Sequence, residues 1–276
     1  MKIDLVMWTK NGEKTLSQVL SAINRNIPQS GTRKRFIVDD DSNDRTTEIA
    51  SSHGWGVIRN KGSGISDACN TALSNVEADC FASFEQDVLL AEDWWSRIPS
   101  LLRDKKTAVA SGVRLPSKSK ALMKINEYAI RKNATGPLFR YFTTLDNTIY
   151  KTKIIRQIGG FPKLQGGVGV DTLLAERLRE RGFKWEVDPG VVSVHLKKLI
   201  CELRSQYWYG NCKREANQQI RTPHIFLRSL IRLLFSPLRG IEISIKQKCL
   251  SAAFVYPMIR CSNFFGICSS YFVRNH

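Results

Sequence analysis

Four short clusters of polar residues each follow an apolar run, and their residue types can do chemistry. They are Thr9-Lys10-Asn11-Gly12, Asp39-Asp40-Asp41, Asn60-Lys61-Gly62-Ser63-Gly64 and Glu85-Gln86-Asp87. Three adjacent aspartates repel one another unless cations or the donors of a ligand offset them. Asp39 and Asp40 stand where a carboxylate at a strand end can accept hydrogen bonds from a base or a ribose hydroxyl. Asp41, Ser42 and Asn43 suit a turn with helix capping. Glu85 and Asp87, two apart on extended chain, can share a hard divalent cation that takes one or two carboxylates plus phosphate oxygens; a solvated loop pair is the plainer alternative. Asp171 opens a helix after Gly159-Gly160-Phe161 and Gly166-Gly167. The dipole at a helix start favours an anion there, which fits a structural cap or a general base equally. His195 closes a strand-like run and offers an imidazole to a metal, to a phosphate or to a structural hydrogen bond.

The elements around these clusters alternate. IDLVMW, RFIV, GVIRN and CFASF are short apolar runs. Between them Leu16, Val19, Leu20 and Ile23 recur at helical spacing, and helices are expected over residues 42–51 and 66–76. Such β/α alternation implies a parallel sheet covered on both faces. Ligands of that architecture sit outside the carboxyl ends of the strands, which places Thr9, the aspartates, Asn60, Glu85 and Asp87 on one rim. Further expected elements are a strand at TAVASGV, a helix over 121–132, a strand at NTIYK, two strands at WEV and VVSVH, and a helix over 199–219.

The order of these pieces resembles the inverting family 2 glycosyltransferases of the GT-A fold. The likeness rests on Trp8 to Gly12, Val38 to Asp44 (VDDDSND), Asn60-Lys61-Gly62 with Ala68 and Asn70, and Phe84 to Val88 (FEQDV). Gly159-Gly160-Phe161, Asp171 to Leu178 (DTLLAERL) and His195 complete it. The resemblance implies an α/β fold with a Rossmann-like, mostly parallel sheet flanked by helices, followed by a helical, basic, amphipathic tail. It implies a nucleotide-diphosphate sugar donor, held by Thr9, Asn11, Asp39, Asp40, Asn60, Gly62, Gly64, Asn70 and Gly160. Mg²⁺ or Mn²⁺ would be bound through Asp87, Glu85 and His195, with Glu85-x-Asp87 matching the family's DxD. Asp171 matches the general base that deprotonates the acceptor hydroxyl. The sequence departs from the pattern at Glu85, where Asp is usual, at Val170, where an acid commonly precedes the base, and at Cys69, where many members carry Arg.

Charge adds a second theme. The chain of 276 residues carries a formal net charge of +17. Residues 197–276 hold thirteen Lys and Arg against Glu202, Glu215 and Glu242, so +10 of that excess lies in the tail. Arg228, Arg232 and Arg239 recur among Phe226, Leu227, Leu230, Ile231, Leu233 and Leu234, a pattern that suits an anionic bilayer surface. Large aliphatics between the bases argue against a nucleic-acid partner. Pro237 and Pro257 are expected to break the tail into short helices, and Arg260 and Asn263 oppose a membrane span. Seven cysteines without a CxxC pair, and a start without a signal-peptide pattern, point to reduced thiols and a cytoplasmic setting. The expected organisation is a catalytic domain over 1–196, a connecting helix over 197–222 and a membrane-associating region over 223–276. It corresponds to a peripheral enzyme on the inner face of the cell membrane acting on a glycan or lipid-linked acceptor. The alternative is a non-catalytic scaffold of the same fold.

Overall fold

The computed structural model describes residues 1–133, 143–164, 166–220 and 224–272. The elements run β1 (Ile3–Thr9), α1 (Leu16–Asn26), β2 (Thr32–Asp39), α2 (Thr46–Ser52), β3 (Gly56–Arg59), α3 (Gly64–Asn75), β4 (Cys80–Glu85) and β5 (Val88–Leu89). They continue with α4 (Trp94–Arg97), β6 (Thr107–Pro116), α5 (Lys120–Asn133), β7 (Thr148–Lys151), α6 (Thr152–Gln157), α7 (Val170–Glu180) and β8 (Lys184–His195). Four helices close the chain: α8 (Leu199–Ile220), α9 (Ile225–Leu234), α10 (Ser236–Gln247) and α11 (Ala252–Phe272). The chain divides into two compact units. The first holds the described residues within Met1–Arg114, Phe139–Lys163 and Val170–Leu196; the second holds those within Leu115–Leu138, Leu164–Gly169 and Lys197–His276.

The first unit is built on one sheet with strand order β3-β2-β1-β4-β7-β6-β8-β5. Its first half is parallel, as the alternation of strands and helices requires. The other half is not: β7 runs antiparallel to β4 and β6, and β5 antiparallel to β8. The sheet is therefore mixed. β1 is buried at all seven positions, and Leu16, Val19, Leu20 and Ile23 of α1 pack on Leu5, Met7 and Ile37 in the main core. Phe81 stacks on Tyr150 at 4.7 Å, tying β4 to β7 at the seam between the two halves.

Three expected elements differ. The helix over 42–51 starts at Thr46, because Ser42 bonds back to Asp39 and the Asn43 N–H is taken by Asn11. WEV and VVSVH form one strand: Arg97 grips the Asp188 carboxylate with N–H bonds of 2.8 and 2.7 Å, so Asp188-Pro189-Gly190 stays extended instead of turning. Pro257 lies inside α11 without ending it. The ring removes one backbone donor, and close packing on neighbouring helices keeps the helix together.

That packing shapes the second unit. A methyl group on Gly210 would overlap the backbone of Asn263, and one on Gly266 the backbone of Tyr207, so α8 and α11 lie backbone to backbone. Ala121, Leu122, Ile125 and Tyr128 of α5 share a core with Ile243 of α10 and Ala252, Val255 and Ile259 of α11. The Tyr128 hydroxyl donates to Glu242 at 2.7 Å, and Arg239 and Lys246 pair with the same carboxylate. No helix among the described residues is long and apolar enough to cross a membrane. All seven cysteines are free thiols.

Candidate active site

The parallel register brings the polar clusters together. Thr9 lies opposite Asp39, Asp39 opposite Arg59, and Trp8 opposite Glu85. The three aspartates then diverge, each to its own donors. Asp39 is buried and accepts bonds from the Thr9 hydroxyl at 3.3 Å, the Ser42 N–H at 3.0 Å and the Ser42 hydroxyl at 2.6 Å. Asp40 accepts from Asn60 Nδ2 at 2.8 Å, the Gly64 N–H at 3.1 Å and Lys10 Nζ at 3.2 Å. Partial burial pushes the Asp40 carboxyl up, but the bonds from Asn60, Lys10 and Gly64 outweigh it and leave the group below the usual carboxylate range. Asp41 takes a left-handed backbone and pairs with Arg59 at 3.0 Å in solvent. Separate donor sets thus offset the repulsion within the acidic run.

Beside this run lies an open cleft of about 510 Å³ lined by Asp39, Asp41, Ser42, Asn43, Val57 and Arg59. Its floor mixes an exposed apolar side chain, Val57, with acceptors and a cation. Asn11 knits the adjoining loops: its side-chain oxygen accepts from the Asn43 N–H, and its own N–H donates to Ser42, both at 2.8 Å. At Gly62 the backbone passes so close to the Asp67 carboxylate that a methyl would overlap it. Asn70 commits its amide to backbone, accepting from the Phe161 N–H and donating to the Phe161 carbonyl, both at 3.0 Å. Gly160 has φ +76, and a Cβ there would come within 2.7 Å of Asn70 Oδ1. Asn70 and Gly160 therefore hold the Gly-Gly-Phe turn in place.

The Glu85-Gln86-Asp87 segment sends its three side chains to three tasks. Gln86 accepts from the Lys10 N–H at 2.9 Å and donates to the Lys10 carbonyl at 3.0 Å, locking the end of β4 to the end of β1. Glu85 pairs with Arg114 at 2.8 Å. Asp87 faces His195, with Oδ2 3.1 Å from Nε2. The β5–β8 pairing sets that contact, since Val88 stands opposite His195 and the Leu196 N–H donates to the Asp87 carbonyl. Asp171 begins α7 half-buried, and its Oδ1 accepts the Thr172 N–H at 2.7 Å. Desolvation raises its proton affinity; the Thr172 bond and the positive charge of Arg114 oppose that rise, and Glu85 adds to it.

Arg114 and Asp146 escape a reading of the sequence alone. Arg114 bridges Glu85 and Asp146, and Asp146 is fully buried with further bonds from Thr144 at 2.8 Å and Asn147 at 3.0 Å. The one available signal is an arginine inside the apolar strand ASGVRLP. Arg114→Met would leave a buried carboxylate without its cation, and breaking such a pair costs roughly 3–5 kcal/mol. A loss of about 3 kcal/mol or more is expected in urea denaturation; an unchanged midpoint would show that Asp146 does not depend on Arg114. Cys69 is buried near Glu85 and Asp171, and burial raises its thiol well above the ordinary range, so it supplies no charge there.

The donor chemistry fits a divalent cation. Asp87 and His195 offer an oxygen and a nitrogen side by side, both able to ligate a divalent cation. Among the described residues no group of three or more His, Cys, Asp and Glu gathers as a metal centre. The remaining positions would fall to ligand oxygens and water, as is usual where a cation bridges to phosphates.

Known proteins share this architecture. A mannosyltransferase from Pyrobaculum calidifontis, solved with GDP-Man and Mn²⁺, superposes with a TM-score of 0.65 at 16% identity, over 100% of this chain and 76% of that one. Glucosyl-3-phosphoglycerate synthase from Mycobacterium tuberculosis, solved with Mn²⁺ and UDP, gives 0.58 at 15% identity over 81% of each chain. S. aureus TarS with UDP-GlcNAc gives 0.57 at 13% identity over 99% of this chain and 92% of that one. A search of curated sequences finds no match. The family model "Glycosyl transferase family 2" matches residues 4–160, more than half of the chain. With the strand-end carboxylates, the Gly-Gly-Phe turn and the helix-opening Asp171 in one unit, the chain belongs to glycosyl transferase family 2 and is a glycosyltransferase of the GT-A fold.

Proposed function

We propose that the protein transfers a sugar, with inversion, from a nucleotide diphosphate donor to an acceptor hydroxyl at an anionic membrane surface, on a glycan or lipid-linked acceptor. The observation that carries the transfer is Asp171, a carboxylate whose proton affinity is raised by desolvation at the start of a helix. A base works best when its proton affinity approaches the working pH. Asp171 would take the proton of the attacking hydroxyl, while Arg114 offsets its burial and keeps it ionised. The cleft beside Asp39 and Val57 would receive the nucleoside, with acceptors for ribose hydroxyls and an apolar contact for the base. Asp87 and His195 would hold Mn²⁺ in preference to Mg²⁺, because imidazole favours the softer ion. When bound, the cation supplies Lewis-acid stabilisation of the charge developing on the diphosphate. The relatives solved with GDP-Man or with UDP-GlcNAc support a sugar nucleotide as the donor.

The membrane setting rests on the second unit, where the exposed bases Arg228, Arg232, Lys246 and Lys248 share helices with exposed large apolar residues. The domain division proposed with it is a catalytic region over 1–196, a connecting helix over 197–222 and a membrane-facing region over 223–276. Incubation of the full chain with a panel of GDP- and UDP-sugars and Mn²⁺, reading donor binding and nucleotide release, tests the transfer. One donor is expected to bind and turn over slowly to water. Absence of binding for every donor and metal would instead support the scaffold alternative.

A further inference from the structure

The last three helices turn their apolar stripes away from the core. Leu227, Ile231 and Leu234 of α9, Leu238, Ile241 and Ile245 of α10, and Phe254, Met258 and Phe265 of α11 are each between 46% and 72% exposed. The spacings i, i+3 or i+4, and i+7 in α9 and α10, and i, i+4 and i+11 in α11, put each set on one helix face. In α9 the buried residue is the small polar Ser229. Arg228 and Arg232, four apart, form the row next to the α9 apolar stripe.

Some bases of this unit are held by carboxylates. Arg239 and Lys246 pair with Glu242, and Lys197 with Glu202. Arg228, Arg232 and Arg260 make no ion pair among the described residues. Arg260 of α11 lies over the Tyr256 ring at 4.8 Å, and its Nε is buried with no hydrogen-bond partner. Arg228 and Arg232 are exposed; desolvation of part of the Arg232 side chain lowers its proton affinity, and the nearby charges of Arg260 and then Arg228 lower it further. Three guanidinium groups therefore stand near enough for their like charges to work against one another. A guanidinium presents a planar fork that matches phosphate oxygens.

We propose that Arg228, Arg232 and Arg260 form a binding site for the phosphate of an anionic lipid headgroup, at the margin of an apolar surface that enters the bilayer interface. The site deepens the membrane-surface reading and rests on it. Self-association is the poorer explanation of the apolar stripes. A twofold contact sets a patch against its own copy, and here that would bring unpaired arginines together.

The test is co-sedimentation of the full chain with phosphatidylcholine vesicles, with and without phosphatidic acid. Wild type is expected to bind only the acidic vesicles. Lys248→Gln, which removes one exposed charge from the same unit, should weaken binding about fivefold, the worth of one diffuse surface charge. Arg232→Gln should weaken it more than about tenfold, and Arg232→Lys should not restore it, because the charge returns without the fork. Circular dichroism confirms that the variants are folded. Three results overturn the site. If Arg232→Lys matches wild type and Arg232→Gln matches Lys248→Gln, the membrane reading stands and the phosphate site does not. If inorganic phosphate protects Arg232 variants and wild type alike from heat, or protects wild type while vesicles are ignored, the ligand is not a lipid. If wild type ignores all vesicles and sediments as a dimer, the membrane reading and the site fall together.

Discussion

Asp171→Asn lowers kcat by about 10²–10⁴-fold, the usual worth of a positioned general base, and leaves donor affinity unchanged. The substitution keeps the oxygen that accepts the Thr172 N–H and removes the ability to take a proton. The pH profile separates this loss from a structural one. In wild type, activity falls as pH drops through the Asp171 pKa, which desolvation places above the ordinary aspartate value. The variant's residual activity lacks that acidic limb. Arg114 lowers the same pKa, so Arg114→Met moves the limb to higher pH. Stability changes in the opposite sense to activity. A carboxyl that binds its proton more tightly in the folded state adds stability below its unfolded pKa and loses it as pH rises through the folded value. At neutral pH ionised Asp171 is therefore a liability, and Asp171→Asn should melt no lower than wild type. A variant that both melts early and keeps its acidic limb would remove Asp171 from the role of base.

Much of this site is legible in the sequence, for a physical reason. Parallel β/α units place every strand's carboxyl end on one side, so Thr9, Asp39, Asn60 and Glu85 meet without any knowledge of side-chain contacts. The antiparallel half has no such rule. Arg114 and Asp146 come from separate segments of it, and nothing local in either segment signals that they meet in a buried pair. The acidic run also hid its own answer. Asp39, Asp40 and Asp41 look like one anionic patch, yet the left-handed turn at Asp41 and the donors from Thr9, Lys10, Ser42, Asn60 and Arg59 split it into three separate contacts. In the tail, periodicity reveals an amphipathic helix but not which face meets the core. For α9 the apolar stripe faces outward, because the small Ser229 and not a leucine is the residue that packs inward.

The proposed cation position gives the sharpest contrast between residues that sequence pattern treats alike. Glu85 and Asp87 occupy equivalent places in the acid-x-acid pattern, but their environments differ. Glu85 is committed to Arg114, which also neutralises Asp146. Asp87 meets the imidazole of His195, fixed by β5–β8 pairing. Removing the carboxylate of Asp87 should therefore abolish Mn²⁺-dependent donor binding. Loss of even an outer partner of a metal ligand costs about 10–100-fold in affinity, so a direct ligand should cost at least about 100-fold. His195→Ala should fall between, and it should narrow the preference for Mn²⁺ over Mg²⁺ by taking away the nitrogen donor. Glu85→Gln should leave metal-dependent binding nearly intact and instead shift the Asp171 limb, since its charge raises the Asp171 pKa. Calorimetric titration of the donor, with Mn²⁺, with Mg²⁺ and with chelator, reads all three variants. Equal losses for Glu85→Gln and Asp87→Ala would mean that the cation displaces Arg114 from Glu85 on binding. Arg114 would then hold Asp146 alone, and the cation would take over the offset of the Glu85 charge that raises the Asp171 pKa.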